Sequence, residues 1–299
     1  MATEKMQKHE TQTAITMKKQ SQLKEIWRRY KKNRLAMIGL ISMLVLIVLV
    51  LAADLIEPYE VCITMNLREK LLPPSAEHLF GTDGYGRDIL ARCLHGGRVS
   101  LFIGFTCSIV SMFFGAIFGM IAGYYGDPLD NIIMRIMDVL SAIPNILLAL
   151  AIVAALGSSI FNLIMALTIS HIPGFARVVR SSVLGITGQE YIEAARAGGT
   201  GDARILRKHI LPNALGPLIV QTTMSVSSMI LAAASMSFLG LGVNPPQPEW
   251  GSIISEAREF LRTNPTMILF PGICIILASL SMNLIGDGLR DALDPRLKS

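Results

Sequence analysis

Charged residues are scarce in this chain. Asp, Glu, Lys and Arg make up 16% of its 299 residues, against about a quarter in soluble domains. With a 52% hydrophobic share beside it, that deficit excludes an ordinary soluble globular domain. Aromatic residues are also few, at 6%, too few to give the basic segments a stacking platform, so the formal charge of +5 does not describe a nucleic-acid surface. Catalytic patterns are missing as well. There is no phosphate-binding loop with its lysine, no H-E-x-x-H and no Ser/His/Asp set at suitable positions. No cofactor is therefore expected in this chain, and any energy source must sit on another. Of only four cysteines, Cys107 and Cys274 lie in apolar runs, where a thiol behaves as a small hydrophobe. Cys62 and Cys93 share a loop in which a disulfide stays open, and their spacing gives no metal site.

What the chain does have is long charge-free apolar runs. A helix of about 20 apolar residues crosses a bilayer, and helix is how an open chain satisfies its backbone there. The runs predict an all-α polytopic membrane helix bundle with six transmembrane helices near 35–56, 98–125, 129–155, 160–180, 214–243 and 264–286. Gly157-Ser158-Ser159 divides an apolar stretch too long for one crossing. Ahead of this 35–299 domain stand a polar tail, 1–22, and a basic helix, 23–34, with Ile26, Trp27 and Tyr30 on one side. That helix suits an anionic lipid surface, with a solvated basic stub as the alternative. The first run follows a long polar leader and reads as a retained span, not a removed signal.

Lys and Arg settle the expected orientation. Ten lie between Lys5 and Arg34, six more are Arg177, Arg180, Arg196, Arg204, Arg207 and Lys208, and the loop after the first span is offset by acids. Both termini and the 181–213 loop are therefore expected on the cytoplasmic side.

That loop, QEYIEAARAGGTGDARILRKHILPNA from Gln189 to Ala214, reads as two short helices. The first ends near Ala197 and is broken by Gly198-Gly199-Thr200-Gly201. The second runs from Asp202, as N-cap, to Ile210 and is ended by Pro212, with Ala203, Leu206 and Ile210 on one face. Such an element either docks a partner or simply connects two spans. Elsewhere, Gly81 to Arg87 reads as a turn into a helix, because no strand precedes it and it holds no lysine. Pro245, Pro246 and Pro248 stiffen an exit loop ahead of a short helix at Ser252–Leu261. Arg135 and Asp138, one helical turn apart, are expected to pair. His171 either lines a pathway or is packed and hydrogen-bonded.

Glu193-Ala194-Ala195, Gly199 and Leu211-Pro212 resemble the E-A-A-x3-G-x9-I-x-L-P loop of permease subunits of bacterial ABC importers. His209 replaces the motif's isoleucine, and HILPN looks like the version in the dipeptide/oligopeptide/nickel subgroup. The stretches His78 to Leu101, Ser237 to Gly251 and Asn283 to Lys298 are similar to that subgroup in the same order. The resemblance implies a multi-pass protein of the bacterial inner membrane that imports di- or oligopeptides, with nickel or metal-chelate import as the alternative. It also implies a second homologous permease, two cytoplasmic ATPase subunits carrying ATP and magnesium, and an extracytoplasmic solute-binding protein. The 181–213 loop would then be the ATPase-coupling element. A stand-alone channel, or an intramembrane enzyme with paired acids at mid-span, is the reading of a different class.

Overall fold

A computed structural model describes residues 22–293, so the 1–22 tail expectation lies almost wholly outside the described residues. The described chain is helical apart from short connections and one isolated bridge, Thr82 to Asp88. α1 (Gln22–Tyr30) is shorter than the expected 23–34, because the Asn33 carboxamide accepts from Ala36 N at 3.1 Å and starts α2 (Arg34–Leu51). Nor does α1 offer Tyr30 to lipid. The ring is buried against Ala36 and Ala292, its hydroxyl donates to the Ala36 carbonyl at 3.1 Å, and only Trp27 of that side is exposed.

Two short helical turns and a folded loop lead to α3 (Ile89–Tyr125). Its 37 residues span about 55 Å at 1.5 Å each, nearly twice the hydrocarbon thickness of about 30 Å. The expected start at 98 is late because Asp88 caps the helix ahead of it, accepting from Ala91 N at 2.9 Å. Polar residues can extend a helix beyond the lipid, where hydropathy no longer marks it.

The expected straight span at 129–155 is instead α4 (Leu129–Ser141) and α5 (Asn145–Leu156), bent by 81°. Pro144 is the cause: it brings no N–H, sits at ψ 135°, and keeps its preceding residue out of the helix. α6 (Ile160–Thr187), α7 (Glu190–Ala197), α8 (Leu211–Phe238), α9 (Trp250–Ala257) and α10 (Thr266–Leu293) complete the bundle. Among the described residues, five helices are long and apolar enough to cross a membrane, six if the bent pair is one span. The short helix expected at Ser252–Leu261 begins earlier, at Trp250, with the buried Glu249 carboxylate capping it through Ser252 N at 2.9 Å.

Packing is tightest between α3 and α6. Gly115, Gly119 and Gly123 form one stripe of α3, and a Cβ on Gly119 would come within 2.5 Å of the Ala176 carbonyl oxygen. Small residues at this spacing let two helices approach closely where lipid gives no hydrophobic drive. Around α3, α6 and α8 sit apolar clusters that include Ile103, Leu163, Leu167, Met229 and Met236.

At the end of α3 away from the 190–213 loop, Gly81 to Arg87 forms a turn that feeds the helix. There Arg87 and Arg92, each 1% exposed, share Asp83 and Glu256: Arg87 Nε donates to Asp83 at 2.7 Å, and Arg92 Nη1 donates to Asp83 and Glu256 at 2.6 and 2.8 Å. Two cations and two acids neutralise one another, as buried charges must. All four cysteines are free thiols, and Cys93 belongs to α3, not to a loop shared with Cys62. Burial pushes the Cys62 thiol up to about 11.

Candidate functional site

The loop joining α6 to α8 is built from α7 outward. Glu190 and Glu193 stand in its first turn and Arg196 in its last, the arrangement the helix dipole favours. α7 then ends on Gly199 at φ +75°. Thr200 N donates to Ala195 O and Gly199 N to Arg196 O, both at 3.0 Å. These paired bonds, six-to-one and five-to-two, are a Schellman cap, which calls for a left-handed residue at this position. A Cβ on Gly199 would meet nothing within 4 Å, so backbone conformation alone demands the glycine.

Beyond the turn the structure corrects three expectations. Gly201, not Asp202, occupies the N-cap, and Asp202 is the first helical residue of Asp202–Ile205. Pro212 does not end a helix. The chain passes through a π turn at Leu206–Ile210 directly into α8, with Pro212 in its first turn, where a missing N–H costs least. Leu211 N reaches back to Leu206 O in this wider turn, and the Asn213 side chain donates to the His209 carbonyl at 2.6 Å. The π turn also shifts the buried face. Ile205 and Ile210, five residues apart, are both fully buried, while Ala203 is exposed and Leu206 only half-buried.

Three isoleucines, Ile192, Ile205 and Ile210, pin the loop into a cluster with Tyr124, Val179, Val183 and Leu218. Tyr124 adds the polar attachment: its hydroxyl donates to Asp202 Oδ1 at 2.7 Å, and the Arg196 guanidinium lies 4.7 Å from its ring centre. Sequence reading did not single out Tyr124. The available signal was its place in the Tyr124-Tyr125 pair at the end of an apolar run, where amphipathic rings belong.

Among the motif residues, Glu193, Ala194, Gly199 and Pro212 are exposed, while Ala195 and Leu211 are half-buried. The structure gathers them at one end of the bundle, where Tyr191 bridges toward α8 with its ring 6.2 Å from that of His209. Arg204, Arg207 and Lys208 are on the same loop, and all three are exposed. The element is thus anchored from beneath by apolar side chains and presents small residues outward, with Arg196, Arg204, Arg207 and Lys208 beside the acids Glu190, Glu193 and Asp202. Among the described residues no group of three or more His, Cys, Asp or Glu is placed to hold a metal ion.

Two other expectations resolve differently. Asp138 pairs with Arg177 of α6 at 3.1 Å, not with Arg135. Asp130 accepts from Nε and Nη2 of Arg180, each at 2.5 Å, so α4 is clamped to α6 twice. His171 is both packed and turned to a cavity: Nδ1 lies 2.9 Å from the Leu167 carbonyl, while the ring lines a recess with Gln221 and Asn283.

Comparison with known proteins fits this architecture. Residues 115–299 match the family described as binding-protein-dependent transport system inner membrane component, and residues 21–74 match the N-terminal TM domain of oligopeptide transport permease C. The chain is 47% identical over 276 residues to the dipeptide transport system permease protein DppC of Alkalihalophilus pseudofirmus, covering 92% of this chain and 90% of that protein. It is 42% identical over 286 residues to the di/tripeptide transport system permease protein DppC of Pseudomonas aeruginosa, covering 93% and 94%. The glutathione transport system permease protein GsiD of Pectobacterium atrosepticum is 44% identical over 276 residues, with 92% of each chain covered. In fold, the chain is similar to a solved chain of the MetNI methionine ABC transporter in inward facing conformations, with a TM-score of 0.51 and 24% identity over 65% of this chain and 94% of that one.

Proposed function

The chain belongs to the binding-protein-dependent transport system inner membrane component family, and on that premise we propose that it is one permease subunit of an ATP-driven importer of short peptides. It is a multi-pass protein of the inner membrane. The relatives named for dipeptide, di/tripeptide and glutathione transport favour a peptide cargo over nickel chelates. In this reading both termini and the 190–213 loop face the cytoplasm, where the loop meets one of two ATPase subunits that bind ATP and magnesium. A second, homologous permease completes the membrane part, and an extracytoplasmic binding protein delivers the peptide.

The observation that carries the coupling role is the construction of the loop. Its exposed surface combines small residues with charges of both signs, which suits insertion into a polar groove, while Ile192, Ile205 and Ile210 root it in α3, α6 and α8. A push on the exposed side is passed to three long helices at once, because packed side chains resist compression. ATP-driven closure of the partner would therefore rock the bundle between outward- and inward-facing arrangements. This chain does no covalent chemistry in that cycle.

Uptake of labelled dipeptides and of nickel chelates, compared in cells with and without the gene, tests the assignment. Gene-dependent dipeptide uptake is the expected result. Nickel-chelate uptake alone would replace the cargo, and recovery of the chain in mild detergent without ATPase subunits would refute the importer reading.

A further inference from the structure

Between α5, α6, α8 and α10 lies a cavity of about 410 Å³, within the range of about 300–1,000 Å³ typical of clefts that hold small ligands. Its polar lining comes from Asn145, His171, Gln221, Ser225, Ser228 and Asn283, and no Asp, Glu, Lys or Arg takes part. His171, Gln221, Ser228 and Asn283 stand well inside the long helices, and Asn145 opens the second half of the broken span. Ser228, Asn283 and Asn145 are exposed, His171 and Gln221 half-buried.

Exposed amides at this depth cannot face lipid, which offers them no hydrogen-bond partner. Unlike Asn162 or Asn213, whose amides reach carbonyls of their own chain, these face the cavity. His171 adds a defined acceptor. Nδ1 donates to the Leu167 carbonyl at 2.9 Å, so in the neutral ring Nε2 is the acceptor.

We infer that this recess is the station at which the peptide's main chain is held during passage, an inference that rests on the peptide-import reading above. A primary carboxamide offers both donors and an acceptor, the complement of a peptide bond whatever side chains flank it. A lining without charge leaves the peptide's termini to water and avoids the tight grip that would stop its release. A pathway needs sites favourable enough to enter and weak enough to leave.

The test uses the whole transporter reconstituted in vesicles, with labelled Gly-Leu and Phe-Ala as probes. Asn283→Leu and Gln221→Leu should each slow uptake of both dipeptides by about three- to tenfold, the loss of roughly one hydrogen bond, with assembly and ATP hydrolysis preserved. Gln221→Asn should recover part of the rate. Asn283→Cys should react with a charged methanethiosulfonate reagent, more slowly when dipeptide is in excess, whereas Val45→Cys in α2 should not react. Unchanged uptake in both leucine variants overturns the inference. So does an effect on one dipeptide alone, which would mean side-chain selection, or loss of assembly in both variants, which would make these residues contacts to the second permease. Failure of the Asn283→Cys variant to react overturns it independently of the leucine variants. No dipeptide uptake by the wild type would sink the import reading itself.

Discussion

The three glycines of the 198–201 turn provide an internal control for the coupling loop. Gly198 and Gly201 have ordinary backbone angles, φ −74° and −64°, whereas Gly199 sits at φ +75°. Alanine at 199 meets no atom within 4 Å, so its whole cost is the left-handed backbone, about 1–2 kcal/mol. That corresponds to roughly a five- to thirtyfold shift away from the capped turn at about 1.4 kcal/mol per factor of ten. Valine, branched at Cβ, should cost more. Alanine at 198 places its Cβ 3.3 Å from the Ala194 carbonyl and needs only a small adjustment. Alanine at 201 meets nothing within 4 Å and should be close to neutral. In reconstituted vesicles, the ratio of substrate imported to ATP hydrolysed should fall for Gly199→Ala, fall further for Gly199→Val, and hold for Gly198→Ala and Gly201→Ala. Equal behaviour of the alanine variants, or wild-type coupling in Gly199→Val, would refute the argument that the Schellman turn sets the loop's working shape.

The other predictions concern its supports. Tyr124→Phe keeps the ring but removes the hydrogen bond to Asp202; it should destabilise the loop by about 1–2 kcal/mol, seen as faster proteolysis between 190 and 213 with the spans intact. Gly119→Val drives a side chain into the Ala176 carbonyl and should cost about 1–3 kcal/mol or more, read as a lower unfolding temperature in detergent. Cys62, fully buried with its thiol pushed up to about 11, should resist maleimide at roughly neutral pH in the folded protein, since the thiolate is the reactive form; prompt labelling there would contradict its burial.

Much of the bundle was legible because lipid imposes a simple rule: long charge-free runs become helices. The same rule hid the break between α4 and α5. Pro144 stands in a run apolar enough for a crossing, and hydropathy is blind to one missing N–H, although Pro173, Pro217 and Pro271 show that proline alone does not dictate a break. In the loop, the glycine turn was readable because φ above zero leaves a mark in residue choice. The π turn was not, since Leu206 to Ile210 would also fit an α-helix, and an α-helical reading assigns the buried face to the wrong residues. Tyr124 was missed for a third reason: its partner Asp202 is 78 residues away, and no local pattern reports a contact between distant segments.

The continuity of α3 also limits how this protein can vary. Its Asp88 end holds the charged cluster, its middle carries the glycine stripe, and Tyr124 closes the far end, all on one uninterrupted helix. In a helix every residue fixes the phase of all that follow, by about 100° each. Inserting a single residue near Ile103 would keep every side chain yet turn either the stripe away from α6 or the cluster away from Glu256. Substitutions along α3 can be absorbed one at a time, whereas a change of length cannot, and this helix should be the least tolerant of insertions in the chain.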